Sequence, residues 1–147
     1  MATQNRFYLD TNAVIGILER REPLNVLQRK FLLSISEGKT RAFVSEFTLA
    51  ECVVKPLREG NAVLCSQYAA FVDTQLTAPP LPIDRQVLLL AAEIRAASGV
   101  KFPDAIHVAS ATVLKCKVML SADKALPLPP WMERCSFEDI TRQHLNE

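Results

Sequence analysis

Four acidic residues stand where a folded chain would bring them together. Asp10 ends one short apolar segment, Asp123 follows another, and Asp104 lies in the first turn of a predicted helix. Glu51 lies past the strand predicted around residues 42–44, about two turns into the next helix. Where such segments form parallel strands, reactive groups gather beyond their carboxyl ends. The spacing therefore predicts that four carboxylates meet at one edge of a sheet.

Clustered carboxylates of this kind need a compensating charge. In a low-dielectric cleft they cannot all ionise side by side, so either some stay protonated or a cation is bound. No histidine or cysteine ligand pattern accompanies them, and an all-oxygen site favours Mg²⁺ or Mn²⁺ over zinc. Such an ion keeps water molecules and commonly meets substrate phosphates. The chemistry indicated is metal-assisted attack of water on phosphorus.

Each carboxylate also has a purely structural alternative. Asp10 suits a turn or a helix cap, Asp104 suits the positive end of a helix dipole, and Asp123 suits a turn. Glu51 interrupts an otherwise apolar helical stretch, where a solvated glutamate is less natural. A single sheet edge would explain all four positions at once, so we interpret the four acids as one functional site.

Apolar strand-like segments alternate with helical segments along the chain. The strand candidates are apolar on both faces, which is typical of a parallel sheet covered by helices on both sides. We therefore predict an α/β fold, a three-layer α/β/α sandwich with a central, mostly parallel sheet. Predicted strands are residues 7–9, 42–44 and 117–121, with further short strands at 81–83 and 136–140. Predicted helices are residues 13–20, 23–37, 46–56, 61–76, 84–98 and 104–114.

Local signals predict several helix boundaries. Thr11 or Asn12 is expected to cap the first helix, and Pro23 to open the second. Pro56 is expected to end or kink the third helix, because proline disfavours helical geometry before it. Pro103 is expected at the first position of the last helix. These boundaries decide which carboxylates lie at helix N-termini.

Composition indicates one globular domain over residues 1–147. Of the 147 residues, 49% are hydrophobic and 22% are charged, which excludes intrinsic disorder. No apolar run approaches the ~20 residues of a membrane span, and the polar N-terminus lacks signal-peptide character. We therefore expect a soluble cytoplasmic protein with no membrane partner. The four widely spaced cysteines are expected to be reduced, mostly buried thiols.

Positive charge is concentrated in the first third of the chain. The net charge is only +1, but residues 1–58 hold nine lysines and arginines against six acids. A solvated helix surface is one explanation, and a surface that contacts phosphates is the other. The candidate residues for such contacts are Arg20, Arg21, Arg29 and Lys30.

Four stretches of the sequence together resemble the PIN-domain ribonucleases. The likeness extends over about residues 6 to 140, and the length and order of elements are similar to the VapC-type toxins of bacterial toxin–antitoxin pairs. Where the family usually has Thr-Asn-Asp before its fourth acid, this chain has Ser-Ala-Asp. The matching stretches are Tyr8-Leu9-Asp10-Thr11-Asn12-Ala13-Val14-Ile15, Ser45-Glu46-Phe47-Thr48-Leu49-Ala50-Glu51, Asp104-Ala105-Ile106-His107-Val108-Ala109-Ser110-Ala111 and Leu120-Ser121-Ala122-Asp123-Lys124.

The resemblance implies a metal-dependent endoribonuclease that uses Mg²⁺, with Mn²⁺ able to substitute. It also implies an RNA substrate, a cognate antitoxin protein and a homodimer. Thr11 and Ser121 become candidates for orienting a ligand or a water molecule. The family's four acids, which would hold the metal and carry catalysis, fall on Asp10, Glu51, Asp104 and Asp123.

Other functions remain open from the sequence. The same fold could serve RNA processing with no antitoxin, or form a non-catalytic module that binds RNA or protein. A phosphoesterase of the phosphoaspartyl type would need an Asp-x-Asp pair after the first strand, and Asp10-Thr11-Asn12 lacks it. His107 lies three residues after Asp104, and we expect it to pack or hydrogen-bond near the sheet rather than act as a base.

Overall fold

Four short parallel strands form the centre of the protein, in a computed structural model that describes residues 5–145. The strands lie in the order β2-β1-β3-β4, and every neighbouring pair is parallel. The carboxyl ends of all four strands therefore lie along one edge of the sheet. The strands are β1 (Arg6–Leu9), β2 (Arg41–Phe43), β3 (Val118–Leu120) and β4 (Glu133–Cys135).

Helices cover both faces of this sheet, which confirms the predicted three-layer α/β/α sandwich. Two short 3₁₀-helices, Phe137–Asp139 and Gln143–Leu145, follow the last strand. The helices of the described residues are α1 (Thr11–Leu18), α2 (Val26–Ser36), α3 (Glu46–Arg58), α4 (Ala62–Thr74), α5 (Arg85–Ser98) and α6 (Phe102–Val113).

Alternate residues of the strands pack into opposite layers. Phe7 and Leu9 of β1 join a large apolar cluster with buried residues of α1, α2, α3 and α4. Tyr8, between them, joins a second cluster that contains Val108 of α6 and Met119 of β3. Side chains of a strand point alternately to its two faces, so burial on both sides explains why β1 is apolar throughout.

The cap of α1 differs from the sequence prediction. Neither Thr11 nor Asn12 caps this helix. Asp10 does so, with its carboxylate accepting a 2.8 Å hydrogen bond from the backbone N–H of Ala13. Asp10 therefore has the structural role of a cap and also stands at the carboxyl end of β1.

Two prolines lie near helix starts but do not set them as predicted. α2 begins at Val26 rather than at Pro23, because Asn25 forms a capping box with Gln28. Pro103 is the second residue of α6 rather than the first. Backbone N–H groups in the first turn of a helix have no intrahelical partner. Proline, which lacks an N–H, is therefore tolerated at the first or the second position of a helix.

α3 continues through Pro56 and ends at Arg58, so the prediction that Pro56 ends this helix is wrong. Pro56 is buried on the same helix face as Thr48 and Cys52. Packing of the proline ring in the core offsets the one backbone hydrogen bond that proline cannot donate.

Two of the predicted short strands are also displaced. No strand forms at 136–140. Instead β4 lies at Glu133–Cys135, and Ser136 begins a tight turn in which its hydroxyl donates to Asp139. The segment predicted at 81–83 contributes only an isolated bridge between Leu81 and Ser45. Prolines on both sides of Leu81 remove the N–H groups that a longer ladder would need.

The cysteines fit the expectation of reduced, mostly buried thiols. All four cysteines are free, and three of them are buried. Within residues 5–145, no helix is long and apolar enough to cross a membrane. α5 ends where predicted, at Gly99, whose φ of 75° lies in the left-handed region that glycine adopts at little cost.

Substitution of Phe31 by alanine is expected to destabilise the fold by about 3–5 kcal/mol. The ring is fully buried and packs edge-on against Phe7, with centroids 4.9 Å apart. Leu33→Ala on the same helix is the matched control, because Leu33 is 58% exposed. It should change stability by no more than about 0.5 kcal/mol. Urea unfolding of both variants measures the difference, and equal losses would contradict the layer assignment of α2.

Candidate active site

Asp10 lies at the junction of β1 and β3, at the carboxyl edge of the sheet. Its backbone N–H donates to the carbonyl of Leu120 at 3.2 Å, which continues the ladder between these strands. Burial raises the pKa of the Asp10 carboxyl above its ordinary value, although a hydrogen bond with Ser121 lowers it in part. The carboxylate of Asp123 raises this pKa further. Asp10 is therefore a half-buried acid with another acid nearby.

Asp104 approaches the same edge from the first turn of α6. Burial raises its pKa, and the carboxylates of Asp123 and Glu51 raise it further. Asp123 follows β3 and is exposed, with one carboxylate oxygen accepting a 2.9 Å hydrogen bond from the N–H of Ala125. The turn role considered for Asp123 and its place beside the other acids are thus compatible. Asp104 thus interacts electrostatically with Asp123 and Glu51, and Asp10 interacts with Asp123.

Glu51, on α3, differs from the two aspartates because its charge is compensated. Its Oε1 accepts a 2.5 Å hydrogen bond from the hydroxyl of Thr11 and lies 2.6 Å from Nε2 of His107. Burial acts to raise the pKa of Glu51, but these two hydrogen bonds outweigh it, so the pKa is lowered overall. Glu51 is therefore held in its ionised form.

His107 is a functional neighbour that the sequence prediction left in a structural role. Its ring is 5% exposed and lies on the sheet side of α6. Besides Glu51, it contacts the hydroxyl of Tyr8 through Nδ1 at 2.8 Å and that of Thr11 through Nε2 at 3.2 Å. The expectation that His107 hydrogen-bonds near the sheet is confirmed, and its partner is one of the four candidate acids.

Tyr8 belongs to the predicted first strand and to the first family-like stretch, but no role at the site is predicted for it from sequence. Its ring is fully buried, and its hydroxyl is hydrogen-bonded to Ser45 at 3.0 Å and lies 3.2 Å from the Thr48 hydroxyl. Burial raises the pKa of Tyr8 to about 12, so this hydroxyl stays protonated. A buried tyrosine hydroxyl normally finds a partner, and a tyrosine in an otherwise apolar strand is the signal that could have revealed it.

The donor types at this edge fit a hard divalent cation. All four candidate ligands are carboxylates. Burial raises the pKa values of two of them, Asp10 and Asp104, and acidic neighbours raise these values further through a repulsion that a cation would offset. Across residues 5–145, however, no three or more histidine, cysteine or acidic side chains form a ready-made metal site. One oxygen of Glu51 is instead engaged by Thr11 and His107.

The four candidate RNA-binding cations are not equivalent. Arg20 forms an ion pair with Glu138 at 2.8 Å, and its side chain is only 15% exposed. Arg29 is exposed but donates to the carbonyl of Leu24. Arg21 and Lys30 are also exposed. Arg20 is thus used within the fold, where it ties the end of α1 to the segment after β4.

Three solved structures share this fold at low sequence identity. A toxin–antitoxin complex from Klebsiella pneumoniae is 17% identical with a TM-score of 0.62, over 90% of this chain and 98% of that one. VapBC2 from Rickettsia felis, bound to a DNA fragment from the VapBC2 promoter, is 12% identical with a TM-score of 0.67. The match covers 89% of this chain and 98% of that one. FitAcB from Neisseria gonorrhoeae is 22% identical with a TM-score of 0.62, over 91% and 99%. At these identities the likeness concerns the fold.

A sequence-level match defines the family. Among curated proteins, no sequence matches this chain. Residues 7–129, however, match the PIN domain family, and this segment spans all four sheet-edge carboxylates from Asp10 to Asp123. The match agrees with the parallel sheet, with the position of the acids and with the family likeness of the sequence motifs. The chain belongs to the PIN domain family.

Proposed function

We propose that this protein is a metal-dependent endoribonuclease and the toxin of a toxin–antitoxin pair. The observation that carries the proposal is the grouping of acids near the carboxyl edge of the sheet, where Asp10 follows β1. Burial raises the pKa values of Asp10 and Asp104, and the nearby Asp123 carboxylate raises both further. Membership of the PIN domain family supports nuclease chemistry. The similar structures from toxin–antitoxin complexes support the biological role.

The carboxylates of Asp10, Glu51, Asp104 and Asp123 would hold Mg²⁺, with Mn²⁺ able to substitute. A cation bound there supplies positive charge to the RNA phosphate and lowers the pKa of a water molecule. Thr11 would orient Glu51 through its hydrogen bond, and Ser121, which lies beside Asp10 at the ends of β1 and β3, would assist Asp10. The reaction is hydrolysis of a phosphodiester, in which water adds to phosphorus and one P–O bond breaks.

We also infer that the chain pairs with an antitoxin protein and forms a homodimer. Large apolar side chains are exposed on the helices, among them Val26 of α2 at 57%. Leu57 of α3 and Val63 of α4 are exposed at 66% and 69%. Exposed apolar surface of this kind is suited to protein contacts. Co-expression with any short open reading frame that adjoins the gene, followed by size-exclusion chromatography, tests both inferences.

Purified protein is expected to cleave RNA in Mg²⁺ or Mn²⁺ and to stop when EDTA is added. Asp10→Asn and Asp104→Asn should each abolish cleavage, because a neutral amide does not balance the charge of the cation. Gel analysis of a labelled RNA measures both effects. RNA binding without any cleavage would instead support a non-catalytic module, and undiminished cleavage in EDTA would contradict the proposed chemistry.

Metal-free Asp10→Asn is expected to be at least as stable as the wild type at neutral pH. The folded protein keeps the Asp10 proton at pH values where the unfolded chain has released it, because folding raises this pKa above its ordinary value of 3.8. The free energy of unfolding of the wild type therefore falls as pH rises from about 3.8 through the raised pKa. The asparagine side chain does not titrate, so the variant does not lose stability in this way. Unfolding in EDTA between about pH 4 and about pH 8 should show a growing advantage of the variant.

Asp84→Asn is the matched control for this measurement. Asp84 caps α5 through a 3.0 Å hydrogen bond from the N–H of Val87, as Asp10 caps α1. Asparagine caps nearly as well as aspartate, so this variant should stay within about 0.5 kcal/mol of the wild type. Mg²⁺ should stabilise the wild type and Asp84→Asn but not Asp10→Asn. An Asp10→Asn protein that melts lower in EDTA yet keeps the Mg²⁺ effect would make Asp10 a structural cap only.

RNA affinity is expected to fall with salt if the basic first third contacts phosphates. Removal of one phosphate contact to single-stranded RNA should reduce the log–log slope by about 0.7. Arg21→Ala tests this at an exposed position, whereas Arg20 already pairs with Glu138. Lys117→Ala is the control, because exposed Lys117 precedes β3 at the opposite edge of the sheet. Equal slopes for all three proteins would assign Arg21 to the solvated surface.

A further inference from the structure

We propose that His107 is a positioning residue for Glu51, whose carboxylate it holds in the orientation needed to bind the metal ion. This inference rests on the proposed function, since it concerns the same site. It assigns a role to a buried side chain that the chemistry described so far does not use. Its imidazole ring contacts Glu51, Thr11, Phe47 and both the hydroxyl and the ring of Tyr8.

First, His107 supplies the hydrogen atom in its contact with Glu51. The Thr11 hydroxyl has one hydrogen, which it donates to Oε1 of Glu51 at 2.5 Å. An ionised carboxylate has none to offer. The 2.6 Å contact between Oε1 and Nε2 of His107 is therefore made by a hydrogen on Nε2. A donor of this kind aligns the carboxylate, in the way that neighbouring groups orient metal ligands in other proteins.

The second step concerns what holds the ring itself. Nδ1 of His107 lies 2.8 Å from the Tyr8 hydroxyl, beneath the site. The ring also packs against Phe47, with centroids 5.3 Å apart, and against the Tyr8 ring at 5.7 Å. With both nitrogens engaged and the ring 5% exposed, His107 cannot rotate without losing contacts on several sides. It is thus a rigid support rather than a mobile side chain.

The third step concerns Glu51, which needs such a support. Glutamate has a longer side chain than the three aspartates and more rotatable bonds to order. Both hydrogen bonds described for its carboxylate, from Thr11 and His107, end on the same oxygen, Oε1. Among residues 5–145, no side-chain hydrogen bond ends on the second oxygen, so its lone pairs are available to a ligand. The two donors therefore fix the side chain while leaving it able to bind a cation.

The decisive experiment measures Mn²⁺ binding to the full chain without RNA, from the electron paramagnetic resonance signal of free Mn²⁺. Loss of an orienting partner typically weakens metal affinity roughly 10–100-fold, and we expect a loss of this size for His107→Ala. In His107→Gln, the side-chain amide can still donate to Glu51, so this variant should retain affinity closer to that of the wild type. The Mn²⁺ concentration at half-maximal RNA cleavage should change in the same order.

His144→Gln is the matched control, because His144 is the other histidine of the chain. It is partly buried and hydrogen-bonded to Thr141, and it lies 3.2 Å from Glu133 beyond the site. It should bind Mn²⁺ and cleave RNA like the wild type. If His107→Ala does not fold, as judged by circular dichroism, Tyr8→Phe replaces it. That variant removes only the hydroxyl beneath the ring and should weaken Mn²⁺ binding several-fold.

A second readout tests the contact itself in the metal-free wild type. Long-range ¹H–¹⁵N spectra of histidine-labelled protein should show a protonated Nε2 in His107, with a signal that shifts in Glu51→Gln. An unprotonated Nε2 would overturn the proposal. So would a His107→Ala protein that folds and binds Mn²⁺ like the wild type. If the wild type itself neither binds Mn²⁺ nor cleaves RNA, the proposed function fails, and the positioning role falls with it.

Discussion

The parallel register of β1 and β3 is the constraint on which the site depends. Leu9 pairs with Leu120, and the N–H of Asp10 extends this ladder, so Asp10 and Ser121 lie side by side. Both strands are buried on two faces by helices. A slip of one residue would move each apolar side chain to the other layer, where it does not fit. The acids are thus placed by buried apolar contacts, and no attraction among the carboxylates is needed to bring them together.

That placement has an electrostatic cost, which differs between the two aspartates and Glu51. Asp10 and Asp104 are partly withdrawn from water beside other acids, so folding raises their pKa values. Glu51 is also partly buried, yet donors from Thr11 and His107 lower its pKa. One acid is therefore fixed in charge and orientation before any cation arrives, while the aspartates remain under mutual repulsion. A divalent cation would relieve that repulsion, which gives it a stronger reason to bind the folded chain than the unfolded one.

The central strands and the place of Asp10 at the end of β1 could be predicted from sequence because their signals are local. Apolar runs that end at Asp10 or before Ser121 mark strand ends within a few residues. The predictions that were wrong depended on packing. Pro56 remains within α3 because its ring is buried, and β4 forms earlier than expected because it must align with β3. The contact between His107 and Glu51 joins residues on different helices, and no local pattern specifies such a pair.

The polar contacts beneath Glu51 connect helix formation to the chemistry of the site. Ser45 and Thr48 form the capping box that begins α3, the helix that carries Glu51. Their hydroxyls also contact Tyr8, which in turn contacts His107. Within a buried network, each group satisfies the next, so the loss of one member leaves others unpaired at a cost of about 1–3 kcal/mol each. The start of α3 and the orientation of its glutamate are therefore set by the same contacts. In this fold the support of the candidate site is part of the core, and we expect substitutions beneath it to lower stability as well as the proposed metal binding.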